Sequence, residues 1–170
     1  IGASDQKVIG KRKYVFIHWV IPNVEAKTLV DELKRRDYKK IAIITAQHEG
    51  AFAVLNATLS EIKKAGIKNR IVLDEKPLPQ ESDFRTITTK LREKKVEAIV
   101  IILFPGPLSS FTKQVRQAGI NADFAGIELF EDENEVKASD GSLIGSWYVN
   151  ADEPIPNFIA MCLTNIWLGI

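Results

Sequence analysis

The sequence predicts an α/β fold: a three-layer, doubly wound domain on a mostly parallel sheet. Three observations carry this expectation. Residues 98–103 read Ala-Ile-Val-Ile-Ile-Leu without a polar interruption. A strand with one wet face would alternate, so this run fits a strand covered on both faces, in the middle of a parallel sheet. Strand-like and helix-like patterns also alternate along the chain with short connections, which implies right-handed crossovers. Finally, the apolar run ends at Phe104-Pro105-Gly106, which cannot continue a central strand. Open α/β sheets receive ligands outside the carboxyl ends of their strands. Function is expected at that loop.

The elements follow in order. Residues 1–13 are polar and basic and read as a lead-in. Tyr-Val-Phe-Ile-His-Trp at 14–19 is a strand, which Pro22-Asn23 ends while offering an N-cap. Ala26, Leu29, Val30 and Leu33 recur at helical spacing and predict a helix over 24–36. Lys-Ile-Ala-Ile-Ile-Thr-Ala at 40–46 is a buried strand. The helix after it carries Phe52, Leu55, Leu59 and Ile62 on one face and stops at Gly66. Residues 70–74 form a short strand, and Pro77 and Pro79 mark a loop. Asp83 can cap a helix bearing Phe84, Ile87 and Leu91. After the 98–103 strand, Leu108, Phe111, Val115 and Ala118 define a helix closed by Gly119. Residues 123–126 are a short strand, an acidic stretch covers 128–135, and 143–149 is the final strand.

Composition excludes several classes. The 170 residues carry a formal charge of +1, which gives no case for a nucleic-acid partner. Cys162 is the sole cysteine, so the chain has no intramolecular disulfide and no cysteine metal cluster. No stretch reaches the roughly 18 apolar residues of a membrane span, and the protein is expected to be soluble. Ile1, with no initiator methionine or signal sequence, reads as the start of a processed or excised piece.

The chemical motifs are negative. Thr45-Ala46-Gln47-His48-Glu49-Gly50 matches neither the dinucleotide fingerprint nor the nucleotide P-loop, and no cofactor is expected. Gly141-Ser142-Leu143-Ile144-Gly145 misplaces the serine of a nucleophile elbow and precedes a strand. His18 and His48 do not supply the three or four converging ligands of a metal site. Charge is divided instead. Lys34-Arg35-Arg36, Lys63-Lys64 and Arg92-Glu93-Lys94-Lys95 end helices, while Glu49, Glu128, Glu131, Asp132, Glu133 and Glu135 share the opposite edge. Helix dipoles account for most of that division. An acidic ligand edge containing Phe104 would also suit a ligand with a cationic group.

Several segments together resemble one family. These are the 41–50 strand and loop with a helix ending Lys64-Ala65-Gly66, and Ser82-Asp83-Phe84 opening the next helix. A long run follows from Val96-Glu97-Ala98 through Phe111-Thr112-Lys113-Gln114-Val115 to Phe124-Ala125-Gly126. Ala138-Ser139-Asp140-Gly141, with Gly145 beyond it, continues the match. Over about 13–150 the chain resembles the second lobe of a type I periplasmic binding protein of the branched-chain amino acid receptor kind. The resemblance implies a non-catalytic, periplasmic or extracellular receptor of two α/β lobes joined by a hinge, which traps a solute and passes it to an ABC importer. By position, the family's ligand-facing aromatic and ammonium-gripping glutamate fall on Phe104 and Glu128. A second aromatic of the family falls on Glu49, which favours a different or more cationic ligand than a simple branched-chain amino acid.

The expected division is thus a hinge-proximal lead-in (1–13), an α/β ligand-binding lobe (14–150), and a junction with an apolar C-terminal helix (151–170). That helix is apolar on most sides and needs cover, from the domain's own sheet or by self-association through 157–170. The candidate ligand-binding set is Glu128, Phe104, Glu49, Pro105 and His48. The expected partners are an amino acid-like small molecule and, through the full-length protein, an ABC transporter permease. The alternatives are a sensing domain of a receptor or transcription regulator and, lower, a Rossmann-like or flavodoxin-like enzyme.

Overall fold

The computed structural model describes residues 21–150. The expected 14–19 strand, the 1–13 lead-in, His18, Cys162 and the 151–170 helix lie outside the described residues. Five strands, β1 (Ile41–Thr45), β2 (Ile71–Glu75), β3 (Ala98–Ile102), β4 (Asp123–Gly126) and β5 (Trp147–Tyr148), form one sheet in the order β2-β1-β3-β4-β5. Every pairing is parallel. β1 and β3 pair over their full length, from Ile41 opposite Ala98 to Thr45 opposite Ile102, and every residue of both is buried. The uninterrupted apolar run therefore marks the middle of the sheet, as its composition requires.

The helices are α1 (Pro22–Arg35), α2 (Glu49–Lys64), α3 (Arg85–Lys94), α4 (Pro107–Gln117) and α5 (Glu133–Ala138). α1 packs along α2, while α3 contacts α4 and α4 contacts α5. Right-handed crossovers explain the split: α2 carries the chain outward from β1 to β2, whereas α3 and α4 carry it the other way. The carboxyl ends of β1 and β3 are thus a topological switch point, where the following connections leave toward opposite faces.

Three expectations are corrected. The final strand spans Trp147–Tyr148, not 143–149. Asp140, Gly141 and Gly145 adopt positive φ, and turn bonds such as Ile144 N–H to Gly141 O (3.0 Å) coil the preceding residues. α1 begins at Pro22, with Ile21 as an N-cap that makes no side-chain bond, so Asn23 is inside the helix and is not its cap. Proline suits the first helical position because its missing N–H would be unpaired there anyway. On α2 the expected face holds, with Leu55 and Ile62 buried and Phe52 and Leu59 half-buried against the same core, and Ala51, Ala57 and Thr58 are buried as well. Phe84, rather than Asp83, holds the cap position of α3. Asp83 still accepts the Arg85 N–H at 3.1 Å.

Candidate functional site

The two central strands stay joined one step past their ends, where the Ala46 N–H donates to Ile102 O at 2.9 Å. Beyond that point the chain diverges to both sides. Gln47 ties the loop after β1 to the loop after β2, its N–H donating to Pro77 O (2.9 Å) and its Nε2 to Lys76 O (2.5 Å). His48 then caps α2, its Nδ1 accepting the Gly50 N–H at 3.2 Å. An accepting Nδ1 leaves the ring proton on Nε2. Across the crevice stands Phe104, from the loop after β3. The two rings meet edge to face, with centroids 4.9 Å apart at 81°. Phe104 is half-buried against the core, while Pro105, His48 and Glu49 are exposed.

Glu128 follows β4 directly, as the first residue of a 3-10 turn (Glu128–Glu131), and is half-buried. Its neighbour across the edge is Glu25, in the first turn of α1 and only 5% exposed. Burial, reinforced by the hydrogen bond to Glu128 and by that carboxylate's charge, pushes the Glu25 carboxyl up to about 9. Desolvation penalises the charged form, and a like charge adds to the penalty. Glu25 therefore keeps its proton near neutral pH and donates it to Glu128. Sequence reading missed Glu25. Its place among the buried positions of an amphipathic helix, one residue before Ala26, was the available signal.

The turn carrying Glu128 depends on Gly126. A Cβ there would lie 2.3–2.6 Å from three atoms of the Phe130 ring, which is buried and tilted against Tyr148. Only glycine lets that ring cross the end of β4. Gly126→Ala is expected to cost about 1–3 kcal/mol by overpacking, read as a lower urea midpoint. An unshifted midpoint would mean the ring moves freely.

The remaining acids sort differently from a uniformly solvated edge. Asp132 caps α5, accepting from Asn134 N–H at 2.8 Å and Glu135 N–H at 3.3 Å. Glu135 is 5% exposed and accepts the backbone N–H groups of Gly106 and Ser109. The helices that start at this edge each meet an acid: Glu25 in α1, Glu49 in α2, Asp83 beside α3 and Glu135 at α4. The positive helix ends that would attract an anion are thus already answered. Carboxylates beside aromatic rings suit a cationic, partly apolar ligand. Ser142 is buried and donates to Thr112 Oγ1 at 2.8 Å, a structural tie between the turn and α4. Among the described residues, no group of three His, Cys, Asp or Glu is placed to hold a metal. None of their helices is long and apolar enough to cross a membrane.

The described residues thus form a doubly wound α/β lobe with an acidic, aromatic edge at its switch point. Comparison with known proteins places it more closely. The family model described as periplasmic binding protein matches residues 2–157, and the chain belongs to that family. Similar solved structures include a protein described as a branched-chain amino acid ABC transporter from Rhodospirillum rubrum, with 13% identity and a TM-score of 0.79 over 93% of this chain and 46% of that one. The leucine-binding protein LivK of Thermotoga maritima has 14% identity and a TM-score of 0.74, over 92% of this chain and 47% of that one. A solute-binding protein of an R. palustris ABC transporter, solved with benzoate, has 16% identity and a TM-score of 0.71, over 86% and 41%. At these identities the likeness is one of fold. The chain spans less than half the length of each of these structures, as a single lobe would. A search of curated proteins returns no significant match. The family consists of extracytoplasmic, non-catalytic solute-binding proteins.

Proposed function

We propose that this chain forms one ligand-binding lobe of an extracytoplasmic receptor that delivers an amino acid or similar small polar solute to an ABC importer. The observation that supports it is the contact of the His48 and Phe104 rings at the switch point, on the same carboxyl edge that carries Glu128 after β4 and where the described helix starts are each met by an acid. In this reading Glu128 grips the cationic group of the solute, Phe104 packs against its apolar part, and Glu49, Pro105 and His48 line the approach. The lobe comprises 14–150, and the hinge-proximal lead-in (1–13) and the C-terminal junction (151–170) lie outside the described residues. A clamshell gains affinity by closing two lobes and desolvating the ligand, so the whole protein is the unit that binds tightly.

The test is calorimetry on the whole protein with L-amino acids bearing neutral and cationic side chains. At least one ammonium-bearing solute should bind at micromolar concentration. Phe104→Ala should weaken that binding roughly tenfold, about 1–2 kcal/mol, the usual scale for a buried aromatic contact. Failure of every ammonium-bearing solute to bind would overturn the reading.

A further inference from the structure

The loop bearing Phe104 runs directly into α4, and that helix begins without a cap of its own. Gly106 occupies the N-cap position and has no side chain, and Pro107 follows it as the first helical residue. The opening N–H groups of a helix need partners from outside its own ladder, and here they can be followed one by one. Pro107 has no N–H. The Leu108 N–H donates to Phe104 O and the Ser110 N–H to Gly106 O, each at 3.1 Å. Gly106 and Ser109 remain, and a single carboxylate takes both. Glu135 Oε1 lies 2.6 Å from Gly106 N, and Oε2 lies 2.8 Å from Ser109 N.

That carboxylate arrives from α5, more than two dozen residues later in the chain, and is itself fixed from both ends. Asp132 holds the Glu135 N–H, and Ser139 Oγ donates to Val136 O at 2.7 Å one turn on. At the receiving end, Gly106 has φ +91° and ψ −70°, a corner that side-chain-bearing residues rarely adopt. The corner turns the chain from the central strand into α4, and Glu135 grips its N–H. Phe104 lies two residues before it, with its carbonyl in the same first turn.

We infer that Glu135 is a positioning residue for the candidate ligand wall: by bridging the Gly106 and Ser109 amides it sets the 104–106 loop, and so holds the Phe104 ring against His48. It touches no ligand. It also fills the start of α4, so that a ligand's anionic group finds no open helix end beside Phe104. The functional meaning of this assignment rests on Phe104 being a wall of the cleft. The geometry it predicts is present without any ligand.

The experiment is proton–carbon NMR of the histidine rings in the ligand-free chain. His18 and His48 are its two histidines, and His48→Gln identifies the His48 signals. Phe104→Leu removes the neighbouring ring current and supplies the reference shifts. The near-isosteric Glu135→Gln, which turns one acceptor into a donor facing an N–H, should move the His48 signals toward the Phe104→Leu values. Glu135→Asp should move them less, and Lys137→Ala, an exposed position on the same helix, should leave them in place. Unmoved His48 signals in a folded Glu135→Gln would overturn the assignment. Collapse of the whole amide spectrum in that variant would also overturn it, by showing a global rather than a local role. Because no ligand is added, these outcomes stay separate from failure of the solute-binding reading.

Discussion

Removing the Glu128 carboxylate, as Glu128→Ala, should weaken solute binding to the whole protein by roughly 2–5 kcal/mol. That is about thirtyfold to several-thousandfold in Kd. The size follows from what the substitution leaves behind. A solute ammonium enclosed between two lobes loses its water, and without the carboxylate it would sit buried without a counter-charge. Glu128 is suited to that task by position, since it opens the turn directly after β4 and is half-buried. It is also held from behind by the protonated Glu25. Glu128→Gln should lose less than Glu128→Ala, because an amide oxygen still accepts a hydrogen bond from the ammonium. Calorimetry on both variants decides it. An unchanged Kd in Glu128→Ala would remove this residue from the site.

Glu25→Gln should change how stability depends on pH. The folded-state value of Glu25 is raised from 4.5 to about 9. Below the lower of these, folded and unfolded chains both hold the proton and stability is whole. As pH rises from 4.5 toward 9 the unfolded chain releases its proton while the folded chain keeps it. Stability therefore falls across that window, by at most about 1.4 kcal/mol per pH unit for one proton. Above the window the loss is complete. Glutamine mimics the protonated acid, still donating to Glu128 but with no charge to lose. The variant should match the parent near pH 4.5 and exceed it by several kcal/mol, at most about 5 kcal/mol, at pH 8, read from urea midpoints across the range. Glu32 works in the opposite direction at lower pH. Arg35 and Arg36 lower it to about 2, so its contribution is present above 4.5 and is lost as pH falls through about 2. An unaltered slope in Glu25→Gln would mean that Glu25 is ionised in the folded chain.

The fold was legible because its strongest signals are local. Six apolar residues in a row, mostly β-branched and bounded by Pro-Gly, fit a strand covered on both faces, and 98–102 is the strand that lies mid-sheet. The basic helix ends and their following strands likewise fell where periodicity put them. The final strand was placed too long because 143–149 is rich in apolar residues, while the glycines at 141 and 145 already marked turns. The edge was readable in part. Phe104 and His48 sit in loops that any α/β pattern sends to the carboxyl side, so their meeting follows from topology. Glu25 and Glu135 were not singled out, because their roles depend on partners about 100 and 29 residues away. For Glu135 a signal did exist: Gly106-Pro107 opens a helix with no capping side chain, so an acceptor had to come from elsewhere. A matching signal for Glu25 is weaker, a lone acid on an otherwise apolar helix face.

The most direct measurement of the central claim is a map of amide shifts in the isotopically labelled chain as L-amino acids with neutral and cationic side chains are added. Weak binding by one lobe is enough for this readout. The account predicts that the shifted amides cluster at Gln47, His48, Phe104, Gly106, Glu128 and Leu129, along the carboxyl edge of β1, β3 and β4. Shifts confined to the amino edge, around Tyr38, Glu97 and Asn121, or to the outer faces of α3 and α4, would contradict it.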